Sequence, residues 1–112
     1  MDRMAREIRR IRNRNSVLVA NSATFQFVDS SNNTIAFDRS GTSLRRTLGV
    51  TVNNLADNAS SLAFTYYDAN GAQIAVPALN PTDIRSIQID LGFALADKQL
   101  SFRSRVAPRR LQ

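Results

Sequence analysis

The sequence contains neither cysteine nor histidine. That excludes zinc fingers, thiol chemistry and any imidazole base or ligand. Lysine is nearly absent too: 14 of the 15 basic residues are arginine, and Lys98 stands alone. Serines are plentiful, but no base accompanies them, so no nucleophile–base arrangement is visible. No apolar run approaches the roughly 20 residues needed to cross a bilayer. The charged opening has no apolar stretch behind it, so it does not read as a secretory signal, and the chain as written reads as soluble. No glycine-rich phosphate loop is present.

Weak signals receive plain readings. Asp68, Asp83, Asp90 and Asp97 fall at strand ends or turns and read as turn formers and solubilising charges. Asp68-Ala-Asn-Gly71 resembles the start of a calcium loop but lacks the third ligand and the distal glutamate, so it reads as a hairpin turn. Tyr66 and Tyr67 are neighbours on a strand, hence on opposite faces, and do not form one stacking platform. Nothing points to a catalytic residue, a cofactor, a metal or a small-molecule substrate.

What is there begins with the first fourteen residues. They hold six arginines, Arg3, Arg6, Arg9, Arg10, Arg12 and Arg14, against Asp2 and Glu7. At about 100° per residue, Met1, Met4, Ala5, Ile8 and Ile11 share a sector of roughly 120°. The spacing predicts an amphipathic helix over residues 1–14, with Met4, Ile8 and Ile11 packing on a sheet. Arg3, Arg6 and Arg10 lie on its exposed face. A second basic group, Arg103, Arg105, Arg109 and Arg110, closes the chain, whereas the body between carries five basic and seven acidic residues. The net charge of +6 therefore sits at the two ends, which suits a polyanion, an anionic headgroup or an acidic protein surface.

Behind the helix, strand patterns follow one another. Val17–Ala20 is a short strand. Residues 23–29 and 34–39 alternate about a Ser-Ser-Asn-Asn turn and make a hairpin with Phe25, Phe27, Ile35 and Phe37 inward. Ser43–Leu48 is a third strand candidate, and residues 53–61 read as irregular. Leu62–Tyr67 is a clear strand, turning at Asp68–Gly71 into Ala72–Val76. A proline-bearing loop leads to Ile84–Leu95, with Ile84 out of phase. Leu100–Val106 is the last strand, and residues 109–112 are a tail. Together these predict a single domain over 1–112: an N-terminal amphipathic helix packed on antiparallel sheet of about seven strands, an α+β arrangement.

The order of these pieces carries a resemblance. The N-terminal helix and hairpins precede Leu62-x-Phe-x-Tyr-Tyr-Asp-x-x-Gly71. Ile84-Arg-x-Ile-x-Ile-x-Leu91 and Arg103-x-Arg-Val-x-Pro-Arg-Arg-Leu111 follow. The chain resembles the soluble region of a minor type IV pilin or type II secretion pseudopilin. It is most similar to the J-like minor pseudopilins and the minor pilins of mannose-sensitive haemagglutinin type pili. That family's leader and its Phe-Thr-Leu-x-Glu start are not in these residues. The resemblance therefore implies that Met1-Asp2-Arg3 lies midway along a longer helix whose membrane half precedes it. It also implies a non-catalytic subunit anchored in the inner membrane with a periplasmic domain, assembling with other minor and major pilin or pseudopilin subunits. Arg3, Arg6 and Arg10 would then meet acidic residues of neighbouring subunits. The alternative is a small basic module that binds nucleic acid through the arginine-rich helix; the apolar stripe, which suits docking on the body, argues against it. The genomic sequence upstream of the Met1 codon discriminates: a Phe-Thr-Leu-x-Glu stretch with an apolar run supports the first reading, and a stop codon with a ribosome-binding site counts against it, whereas a salt-dependent shift of labelled single-stranded DNA supports the second.

Overall fold

The helix that opens the chain is shorter than its periodicity predicts. In the structure, a computed structural model describing residues 2–78 and 80–112, helix α1 spans Asp2–Ile8; the expected place of Met1 in the apolar stripe lies outside the described residues. Competition from a strand ends it. Ile11 forms an isolated bridge with Asp29, the Arg12 amide donates to the Val28 carbonyl, and the Ser30 amide donates to the Arg10 carbonyl. These bonds pull residues 10–12 out of the helical path. Asn13 then caps a 3-10 turn, Arg14–Ser16, by accepting from the Asn15 amide.

Nine strands follow among the described residues: β1 (Val17–Ala20), β2 (Phe25–Val28), β3 (Thr34–Ser40), β4 (Ser43–Leu48), β5 (Thr51–Ala56), β6 (Ala59–Tyr67), β7 (Gln73–Ile74), β8 (Ser86–Leu95) and β9 (Lys98–Val106). They form two antiparallel sheets, β1-β2-β3-β4-β5 and β7-β6-β8-β9. Among the described residues strands make up 54% and helix 14%. The expected α+β architecture, an N-terminal helix packed on sheet, is therefore corrected: the fold is mostly antiparallel β in two sheets, with one short α-helix. The strand count of seven is corrected as well. Residues 51–56, expected to be partly irregular, form β5, because Gly49 (φ 62°) turns the chain back so that Thr51 pairs with Leu48.

The first sheet is a meander in which each turn has a local cause. Asp29 is buried, and its Oδ1 accepts from the amides of Ser31 and Asn33, which closes the β2–β3 turn. The pairing of Phe25 with Phe37 and Phe27 with Ile35 puts all four on the inner face. In the second sheet, Asp68 Oδ1 accepts from the amides of Asn70 and Ala72, and Gly71 takes φ 78°. Only two residues of β7 follow that turn. Ile84, out of phase with β8, sits after a 3-10 turn (Pro81–Asp83) and is fully buried from there.

The two sheets meet face to face through aromatic rings. Phe25 lies 6.1 Å from Phe64 and 5.8 Å from Tyr66, centroid to centroid, and Phe27 stacks on Phe25 at 5.4 Å. Met4, Ala5, Ile8 and Ile11 are buried in the same core, as are Val106 and Leu111. Main-chain bonds tie the sheets together where β7 is too short to cover the edge of β6. The Phe64 amide donates to the Ser22 carbonyl, and the Ala59 amide to the Thr42 carbonyl.

Tyr66 brings a hydroxyl into this core. It donates to the Asn21 carbonyl at 2.8 Å. Asn21 in turn organises its own loop, its Oδ1 accepting from the amides of Ala23 and Thr24. Burial pushes the Tyr66 phenol well above the ordinary tyrosine range, because the phenolate would lose its hydration. A phenol that stays protonated longer in the folded than in the unfolded chain stabilises the fold below the ordinary tyrosine pKa of about 10 and loses that contribution as pH rises further. Tyr66→Phe is expected to cost about 1 kcal/mol at neutral pH, the net value of the lost hydrogen bond. Urea unfolding across the alkaline range should show the wild-type advantage over the variant shrinking above pH about 10. A constant difference at all pH values would show that the phenol is not held in its neutral form.

Candidate interaction surface

The arginines of the first stretch fall into two groups once their partners are known. Arg3, Arg12 and Arg14 have intramolecular partners. Arg3 Nε donates to Glu7 Oε2 at 3.0 Å. Arg12 reaches Ser16 Oγ and Asn32 Oδ1. Arg14 Nε donates to the Leu111 carbonyl at 3.2 Å, joining the two ends of the chain. Arg6, Arg9 and Arg10 are exposed, and none is in an ion pair among the described residues.

The predicted set Arg3, Arg6 and Arg10 is thus brought together only in part. Arg3 and Arg6 share α1, but Arg3 is committed to Glu7, and Arg10 lies in the turn beyond the helix. The predicted packing residues Met4, Ile8 and Ile11 are all at most 1% exposed. Ile11 reaches the core from its bridge with Asp29 and not from the helix.

Glu7 is the pivot of this region. Besides Arg3 it takes Arg46 of β4, whose Nη2 lies 2.6 Å from Oε1 and whose Nε donates at 2.8 Å. Both side chains are 12% exposed. Arg46 shares with Leu44 the inner face of β4, where a charge needs a counterion, and Glu7 supplies it. The sequence places Glu7 on the polar side of the helix and offers no sign of this pairing, since the partner is 39 positions away. Its neighbour Arg45 points outward and makes a two-pronged pair with Asp38 directly across the strand pair.

The C-terminal residues do not form a tail. Residues Arg109–Leu111 make a 3-10 turn, anchored by buried Pro108 and fully buried Leu111. The Gln112 side chain donates to the Arg85 carbonyl at 2.8 Å. This docking brings the two basic ends into one place: Arg9, Ala107, Pro108, Arg109 and Arg110 line a single concavity. A second concavity shares Ala107 and includes Asp68, Arg85, Arg105 and Gln112. Here Arg105 lies 3.9 Å over the ring of Tyr67, and its Nε and Nη2 donate to Ser86 Oγ. Further along β9, Arg103 pairs with Asp90, whose hydrogen bond and negative charge raise the pKa of the guanidinium.

Among the described residues, no group of three metal-ligating side chains converges, and no helix is long and apolar enough to cross a membrane. No family model matches the chain, and no curated protein matches it in sequence.

The Glu7–Arg46 pair gives a measurable expectation. Glu7→Gln leaves Arg46 on the inner face without its counterion and should destabilise the fold by about 2 to 3 kcal/mol. Arg46→Gln should act similarly. In a double-mutant cycle the pair should show a coupling of at least about 1 kcal/mol. Hydrogen exchange at the amides of α1 should accelerate in either single variant.

Proposed function

We propose that this chain is the globular part of a non-catalytic filament subunit, of the minor type IV pilin or type II secretion pseudopilin kind. The sequence support is the order of motifs from the N-terminal helix through Leu62–Gly71 and Ile84–Leu91 to the basic ending at Arg103–Leu111.

The observation that carries the reading is the two-sided use of α1. Its apolar side, Met4, Ala5 and Ile8, is spent inside the chain's own core. Its outward side is left basic, with Arg6 exposed and Arg10 exposed just beyond it. A helix used in this way is fixed rigidly to the body and presents charge to a neighbour. On this proposal the complete protein is held in the inner membrane with this body in the periplasm, and it joins other minor and major subunits at the start of a pilus or pseudopilus. Charge complementarity with acidic faces of those subunits would set register and approach.

The nucleic-acid alternative asks all six arginines of the first stretch to reach phosphates. Three of them, Arg3, Arg12 and Arg14, have partners within the chain, which weighs against it.

Arg3 is best left intact in a test, because a glutamate at that position would repel Glu7 and disturb Arg46. Arg6→Glu with Arg10→Glu reverses the outward charge while sparing the core. In a bacterial two-hybrid or pull-down with minor pilin or pseudopilin subunits from the same genome, the double variant should lose most of the partner signal at unchanged thermal stability. Undiminished capture would overturn the proposed contact. Capture of single-stranded DNA with a steep salt dependence, and no capture of partner subunits, would favour the alternative.

A further inference from the structure

The basic concavity at the joined chain ends is built, not accidental. One wall carries Arg9, just past the end of α1. The other carries Arg109 and Arg110, and Ala107 and Pro108 complete the lining. Neither wall is loose. Arg9 follows fully buried Ile8 and its amide donates to the Ala5 carbonyl. Arg109 and Arg110 sit between buried Pro108 and Leu111, with the turn closed by bonds from the Leu111 amide to the Pro108 carbonyl and from the Gln112 amide to the Arg109 carbonyl. Arg14 fastens the two walls to each other through the Leu111 carbonyl. Among the described residues none of Arg9, Arg109 and Arg110 is in an ion pair. Three arginines in no ion pair among the described residues therefore line one concavity, together with Ala107 and Pro108.

We infer that the notch formed by Arg9, Arg109 and Arg110 is a docking site for an acidic peptide segment of a partner protein. Arginine forks match carboxylates in a two-pronged geometry, and the Ala107–Pro108 strip accepts the aliphatic stems of glutamate or aspartate.

The surroundings select this class of ligand over other anions. Asp68 lies in the adjoining concavity, which shares Ala107 with the notch. A duplex presents a charge about every 1.7 Å and asks for an extended basic surface, whereas the adjoining concavity sets Asp68 beside Arg85 and Arg105. Binding of single strands commonly uses stacking on aromatic rings, and the neighbouring ring, Tyr67, already has Arg105 over it. An anionic membrane surface is extended and would meet Asp68 and the exposed Asp83 at the same end of the second sheet. A short acidic segment needs only the notch, whose lining includes no carboxylate. The inference concerns the notch itself. It goes beyond the subunit proposal, which states only what kind of protein would carry the segment.

Fluorescence anisotropy of a labelled oligoglutamate peptide at low ionic strength tests it. The wild-type chain should bind saturably. Arg109→Gln with Arg110→Gln should weaken binding roughly tenfold, as expected when paired charges leave an interface. Arg9→Gln, on the opposite wall and outside the C-terminal turn, should weaken it in the same direction, which keeps the test informative if the turn itself is disturbed. Arg39→Gln with Lys98→Gln removes the same net charge at exposed positions outside both basic surfaces and should leave binding within about twofold, since it changes only the long-range field. Equal weakening by the two double variants would overturn the notch as a site, as would the absence of saturable binding. Tighter binding of oligothymidylate or of phosphatidylglycerol vesicles than of the peptide would overturn the choice of ligand class. Failure of the partner capture described above, with oligoglutamate binding intact, would remove the subunit reading and leave the notch standing.

Discussion

Phe25 touches both sheets. It stacks on Phe27 within its own sheet and meets Phe64 and Tyr66 of the other. Everything else in the structure is arranged so that this contact stays dry and in register. The β2–β3 pairing sets Phe25 opposite Phe37, so a slip of β2 by one residue would turn Phe25 and Phe27 to solvent. The Asn21 loop, closed by its own side chain, brings the Ser22 carbonyl to the Phe64 amide and the Asn21 carbonyl to the Tyr66 hydroxyl. The polar groups at the margin of the aromatic cluster are therefore satisfied from the opposite sheet. Fully buried Phe, Tyr and Ile side chains each contribute roughly 1.5 to 3 kcal/mol, and the cross-sheet main-chain bonds let them be buried without orphaned amides.

Much of this was legible from alternation alone. Phe25, Phe27, Ile35 and Phe37 inward, the Asp68–Gly71 turn, and the long Ile87–Leu95 strand all follow from period two and turn chemistry. The failures share one cause. The helix periodicity runs to Ile11, but a strand bridge to Asp29 claims that residue, and tertiary hydrogen bonding overrides local preference. Residues 51–56 look polar because β5 is an edge strand with little to bury, so alternation carries no signal there. The C-terminal residues looked like a tail because Pro108 ends a strand, and one buried leucine is too short a pattern to announce a docked turn.

The surface was less legible than the fold. Charge segregation to the two ends was visible in the sequence, but its meaning depends on where the ends lie. Arg3, Arg6 and Arg10 were grouped by helical spacing, and the spacing fails once the helix stops at Ile8. The pairing of Glu7 with Arg46 takes Arg3 into a network that holds the N-terminal stretch to β4. Arg9, unremarkable by spacing, gains its significance from Arg109 and Arg110, which lie a hundred positions away.

The closure between Arg14 and Leu111 makes the first stretch depend on residues far along the chain. The first sheet is a series of neighbouring hairpins, and its short loops cost little entropy to close. The seat of α1 is different in kind. Met4 and Ile8 share one cluster with Val106 and Leu111, so the burial of α1 is a long-range contact that carries the larger closure cost. A chain whose hairpins are closed still has its basic segment to place.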